Sequence, residues 1–184
     1  LFFRLQDDSA SACAQLSACL TLAEQWAGVS QEPAAVPCME ESVLSFLRSC
    51  EVLTSDWKQM LEQAANAPEP ENLLAYTPAL DQEIRLFTMD MLYRYYLRAA
   101  YAETPEAEIL PLQMAAFSVC VVLLYSRRLG FHTAEQRLRI WQLFVKEIEY
   151  DENNLEELEW QLETNAAFSP AAFRAYFASP GGVQ

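Results

Sequence analysis

The chain has 184 residues, of which 52% are hydrophobic, and a formal net charge of −14 at pH 7. That length predicts one domain with a core sufficient to fold without disulfide or metal staples, and the apolar content excludes a disordered polar chain. The negative surface repels phosphate backbones and anionic headgroups, which excludes nucleic acid and membrane surfaces as general partners and favours a basic protein surface.

At the start, "LFFRL" is too short for the apolar region of a signal peptide and begins with Leu rather than Met. The chain therefore reads as a piece of a longer protein. Few glycines and many Ala, Leu, Glu and Gln point to helix, and no segment alternates with period two, so the predicted fold class is all-α. Residues 1–178 read as a single helical domain and 179–184, "SPGGVQ", as a flexible tail.

A first helix is predicted over Ser9–Ala27, capped by Asp8 or Ser9 and stopped by Gly28, with Leu16, Cys19, Leu20, Ala23 and Trp26 inward. "QEPAAVPC" reads as a loop. A second helix follows near Met39–Cys50 with Val43, Phe46, Leu47 and Cys50 inward. Thr54 or Ser55 then caps a third, which turns Trp57, Met60, Leu61 and Ala64 to one face. After the Pro-rich "NAPEPEN", Pro78 is expected to interrupt a short helix before a long one over Asp81–Glu103.

Thr104 and Pro105 form a cap and first-turn pair that leads into the apolar run "ILPLQMAAFSVCVVLLY". A helix that is apolar all round lies in lipid or at the centre of a bundle. The amphipathic helices around it argue for the centre, so an irregular bundle is expected around a helix at about 109–129. Arg127, Arg128 and Gly130 suit its C-terminal end. Thr133 and Gln136 form a capping box for the next helix, with Leu138, Trp141, Phe144, Val145 and Ile148 inward, and Ser169–Pro170 starts the last.

Chemistry is sparse. The five cysteines, Cys13, Cys19, Cys38, Cys50 and Cys120, lack ligand spacing and read as free buried thiols, which fits a cytoplasmic location. The one histidine, His132, sits beside a turn. No Walker loop and no glycine-rich strand–helix turn occurs, so neither a dinucleotide nor a Rossmann-type S-adenosylmethionine pocket is expected, and no metal site is. Tyr93, Tyr95, Tyr96 and Trp141 are candidates to line an internal pocket for an apolar ligand, or simply core.

The most polar feature is "VKEIEYDENNLEELEWQLE", Val145 to Glu163, with eight carboxylates and one cation. An EF-hand is excluded by the missing glycine and alternating ligands, and a di-iron bundle by the missing Glu-x-x-His motifs. On a regular helix Glu147 and Glu149 lie about 200° apart, so they cannot grip one ion together. Continued further, the helix would drive Glu152 into the apolar stripe, so a break is expected between Tyr150 and Asn154, with Asn153 or Asn154 as the new cap and Leu155, Leu158 and Leu162 as the new stripe. Arg94 and Arg98 lie four apart, beside Phe87 and Met91. They are candidates to pair with Glu147 or Glu149; alternatively Asp90 takes Arg94 and Arg98 snorkels. The candidate polar cluster is thus Arg94, Arg98, Glu147, Glu149, Asn153 and Asn154.

Three stretches taken together, "LTSDWKQMLEQ" (Leu53–Gln63), "LYRYYLRAAY" (Leu92–Tyr101) and "FVKEIEYDENNLEEL" (Phe144–Leu158), resemble the C-terminal half of flagellin lysine-N-methylase-like proteins, and "LQDDSASACAQLSACLTLAEQ" resembles the helix preceding them. Tyr150 stands where that family typically has His. The resemblance implies a bacterial, cytoplasmic protein that transfers methyl groups from S-adenosylmethionine to flagellin lysines. It also implies an N-terminal half with a cysteine-rich, metal-cluster-like region, which this chain lacks. The implied partners are that missing half and flagellin or another protein substrate. The cofactors are implied for the parent protein only, and this chain alone is expected to be inactive. A non-catalytic interaction domain and an apolar-ligand bundle are the alternatives.

Overall fold

The computed structural model describes residues 10–28, 38–68, 74–99 and 109–178. They form eight α-helices, one π turn and one 3₁₀ turn, with no strand among the described residues. In chain order the helices are α1 (Ala12–Ala27), α2 (Met39–Ser49), α3 (Ser55–Asn66), α4 (Pro78–Ala99), α5 (Leu110–Leu129), α6 (Ala134–Phe144), α7 (Glu152–Thr164) and α8 (Pro170–Ala178). The π turn Val145–Glu149 joins α6 to α7, and the 3₁₀ turn Ala166–Phe168 joins α7 to α8.

The all-α bundle is built around α5, which touches every other helix. From Pro111 to Ser126 its residues are buried on all sides. By length and composition α5 could cross a bilayer, but 89% of its most apolar window lies inside the protein. Phe117 sits at its middle, edge-on to Phe46 of α2 and Phe168 of the 3₁₀ turn, with ring centroids 5.4 and 5.3 Å away. Each such side chain contributes roughly 1.5–3 kcal/mol by leaving water. Gln113 stays inside because its amide nitrogen donates to the carbonyls of Leu162 (2.8 Å) and Phe168 (3.0 Å). These are carbonyls that a helix end leaves unpaired.

Turn chemistry sets the helix ends. Gly28 and Gly130 take left-handed backbone angles, φ 69° and 65°, where a side chain would be strained. Thr54 accepts from the Trp57 amide, and Thr133 and Gln136 form the reciprocal capping box. Ser169 accepts from the Ala172 amide at the start of α8.

Several expectations need correction. Ser11, not Asp8 or Ser9, caps α1, its hydroxyl accepting from Ala14. Trp26 is 72% exposed; Glu24 turns inward instead because Arg174 of α8 pairs with it. On α6, Leu138 is exposed while Arg137 is buried, since its guanidinium makes two bonds to Glu83 (2.6 and 2.9 Å) and its stem covers apolar surface. Pro78 opens α4 rather than interrupting a helix: Thr77 caps it, and no helix immediately precedes it among the described residues. Cys38 is exposed, while Cys13, Cys19, Cys50 and Cys120 are buried. Burial pushes the Cys13 and Cys50 thiols up to about 12, so neither is a nucleophile at neutral pH. Residues 179–184, the Thr104–Pro105 pair and most of the two Pro-rich loops lie outside the described residues.

Asp81 fastens the start of α1 to α4. Its carboxylate accepts from the Ala12 amide (2.6 Å), the Tyr76 hydroxyl (2.5 Å) and Arg85 (3.0 Å). Burial pushes its pKa up, but those donors and the Arg85 charge outweigh burial and hold it below the ordinary carboxylate value. A lowered pKa contributes stability that is present above the unfolded value and lost as pH falls through the folded one. The stability difference between the parent and Asp81→Asn is therefore expected to shrink as pH drops from about 5 to about 2 in urea titrations; a constant difference would mean Asp81 carries no proton-linked stability.

Candidate functional site: the junction of Val145–Asn154

The helix that begins at Ala134 changes pitch at Val145. Through Glu149 the backbone widens to a π turn, closed by the Tyr150 amide donating to the Val145 carbonyl at 3.2 Å. Such turns insert a residue into a helix and recur at functional positions. Here the wide turn places Glu147 at 0% exposure, inside the protein.

Glu147 has two neutral donors and no cation beside it in the hydrogen-bond pattern. Its Oε2 accepts from the Leu53 amide at 2.7 Å, and its Oε1 accepts from the Thr54 hydroxyl. Leu53 and Thr54 precede α3, so the carboxylate satisfies backbone and cap groups at that helix's start. An anion near a helix N-terminus is favourable.

Glu149 points elsewhere. Its Oε2 accepts from Arg94 of α4 at 2.9 Å, and Arg94 also pairs with Asp90 one turn back, again at 2.9 Å. The two expectations for Arg94, a junction carboxylate or Asp90, both describe its contacts. The pair is asymmetric: the Glu149 side chain is 5% exposed and that of Arg94 is 34% exposed. Burial lowers Arg94, yet its two carboxylates raise it beyond its ordinary value. Burial raises Glu149 more than Arg94 lowers it. Desolvation thus dominates on the more buried partner. A double-mutant cycle between Glu149→Gln and Arg94→Met is expected to show coupling of about 1 kcal/mol, the upper range for partly exposed pairs. Coupling indistinguishable from zero would mean the contact is incidental.

Asn153 and Asn154 do not cap α7. The π turn ends at Tyr150, which leaves Asp151 as the cap, its Oδ1 accepting from the Asn154 amide at 2.9 Å. Asn153 is exposed. Asn154, 3% exposed, reaches across the junction. Its Oδ1 accepts from the Glu51 amide and its Nδ2 donates to the carbonyls of Glu51 and Glu147, each at 2.8 Å. The side chain of Arg98 lies outside the described residues.

The junction is thus a set of structural bonds, with Glu149 Oε1 the one buried carboxylate oxygen of Glu147 and Glu149 that has no hydrogen-bond partner. Glu147 can reach no solute unless the α2–α3 connection lifts away. His132 is exposed, its amide donating to Gln136 at 3.0 Å. Among the described residues no three His, Cys, Asp or Glu side chains are placed to hold a metal ion. Of the aromatics considered for a ligand pocket, Tyr93 is 79% exposed, Tyr95 is buried and Trp141 stacks on Phe87 at 4.5 Å; the side chain of Tyr96 lies outside the described residues.

No family model, no curated protein and no solved structure matches the chain.

Proposed function

We propose that this chain is the helical half of a flagellin lysine-N-methylase-like protein, a domain that supports S-adenosylmethionine-dependent methyl transfer to protein lysines by carrying the catalytic half or docking the protein substrate. One observation supports this reading. The three stretches that resemble the family, far apart in sequence, converge on the junction. Leu53 and Thr54 of the first bind Glu147 of the third, and Arg94 of the second binds Glu149 of the third. Motifs that encode a shared fold are expected to meet in space; a chance likeness among helical residues has no reason to.

On this reading, S-adenosylmethionine, the metal cluster and the chemistry belong to the N-terminal half, in the cytoplasm. The described residues offer no donor set that fits a metal cluster, so no reaction step is assigned to them. The test is methyl transfer from radiolabelled S-adenosylmethionine to flagellin, using the cysteine-rich half alone, this chain alone, and both. Transfer should require the cysteine-rich half and rise when this chain is added. Transfer by this chain alone, or indifference to its addition, overturns the reading and leaves a helical interaction domain without methylase chemistry as the alternative.

A further inference from the structure

Among the described residues α7 packs chiefly on the π turn, α5 and the 3₁₀ turn, and its opposite face carries exposed side chains. Asn154, Leu158 and Leu162 form the inner face. At about 100° per residue the outer face is centred on Trp160, which is 55% exposed. Glu156 and Glu163 fall on one side of the indole and Glu157 on the other, all exposed, and the helix contains no Lys or Arg.

This arrangement costs stability. Glu152 with Glu156, and Glu159 with Glu163, are like charges four residues apart, which repel on a helix. Glu163 stands in the last turn, where the helix dipole disfavours an anion. Some ion pairs of the described residues join helices and others lie within one helix, and none reaches Glu152, Glu156, Glu157 or Glu163; Glu157 accepts from the neutral amide of Gln161 at 3.0 Å. The fold thus sets three exposed carboxylates, Glu156, Glu157 and Glu163, around an exposed indole.

We propose that the outer face of α7 docks a basic protein segment, with one cationic side chain laid over the Trp160 ring and others paired to Glu156, Glu157 and Glu163. An indole face attracts a cation through its quadrupole, and the surrounding carboxylates draw a basic chain while repelling acidic partners, a second copy of this helix included. The surface is inferred from its own charge and shape and goes beyond the methylase reading; peptide binding is measured separately from methyl transfer, so either can fail alone.

The test uses the full chain and a short lysine-rich peptide carrying a fluorescent label, with binding read by anisotropy. An arginine-rich peptide and a glutamate-rich peptide of equal length serve as comparisons. The lysine peptide should bind, the glutamate peptide should not, and binding should weaken steeply with added salt. Trp160→Ala should weaken it about fivefold or more, which corresponds to about 1 kcal/mol, and the triple variant Glu156→Gln, Glu157→Gln, Glu163→Gln at least as much. Trp26→Ala, a more exposed indole on α1, and Glu62→Gln, an exposed carboxylate on α3, should leave binding unchanged. The arginine peptide should bind as well, and its failure to bind would overturn recognition by charge and the indole face. No binding of the lysine peptide, or binding indifferent to the α7 variants, overturns the surface. Sensitivity to Trp160→Ala alone also overturns it, because the face would then take an apolar segment.

Discussion

Val119→Asp is expected to abolish the cooperative thermal transition. Val119 is wholly buried midway along α5, the helix that contacts all the others. A carboxylate there loses its hydration with nothing designed to replace it, and the cost reaches several kcal/mol even when the group takes up a proton. Domains of this kind retain roughly 5–15 kcal/mol in total, so a loss above about 4 kcal/mol consumes most of it. Val119→Ala separates charge from volume: it removes two methyl groups and is expected to cost about 2 kcal/mol while keeping a sharp melt. Circular dichroism during heating reads both. If the aspartate variant melts within a few degrees of the alanine variant, the centre of α5 tolerates charge and does not organise the bundle.

The place of α5 was readable because burial on every side leaves a mark that composition alone displays: from Ile109 to Tyr125 no residue is charged. Caps were readable for a similar reason. Thr54, Gly130 and the Thr133–Gln136 box act on groups within a few residues, so their partners lie in the same window of sequence. The π turn was not. It uses the same side chains as an α-helix, and a wheel drawn at a fixed pitch cannot register the added residue. That wheel left Glu147 on a flank, whereas the structure buries it. Asn154 escaped because its partners are backbone groups, two of them 103 residues away, and backbone carries no sequence signature. One signal did exist. Asn154, Leu158 and Leu162 are spaced by four, so the stripe that positions the leucines also carries the asparagine inward. Trp26 and Leu138 failed in the opposite sense: ion pairs from Arg174 and Arg137 let Glu24 and Arg137 occupy inward positions next to those the periodicity gave to Trp26 and Leu138.

Asn154→Leu is expected to cost about 3–5 kcal/mol, because the loss comes from the groups left behind rather than from the side chain removed. Although its methyl groups are bulkier than the amide atoms and add some crowding, leucine has the same number and branching of side-chain heavy atoms as asparagine and sits beside Leu158. Yet the Glu51 amide, the Glu51 carbonyl and the Glu147 carbonyl all lose their side-chain partner in one step, and a buried polar group without a partner costs about 1–3 kcal/mol. Glu147→Gln should be milder, about 1.5–3 kcal/mol: the amide can still accept from Leu53, but it loses the charge that strengthens the bonds from Leu53 and Thr54. The two sites share the loop 51–54, so the double variant should cost less than the sum, as coupled neighbours do. Urea titrations measure the totals, and amide exchange locates them. The Glu51 and Leu53 amides should exchange faster in Asn154→Leu, through local opening, well before amides of α5 respond. Additive losses, with Glu51 and Leu53 still as protected as α5, would mean that the α2–α3 connection is held by its own helices and that the junction is not what fastens it.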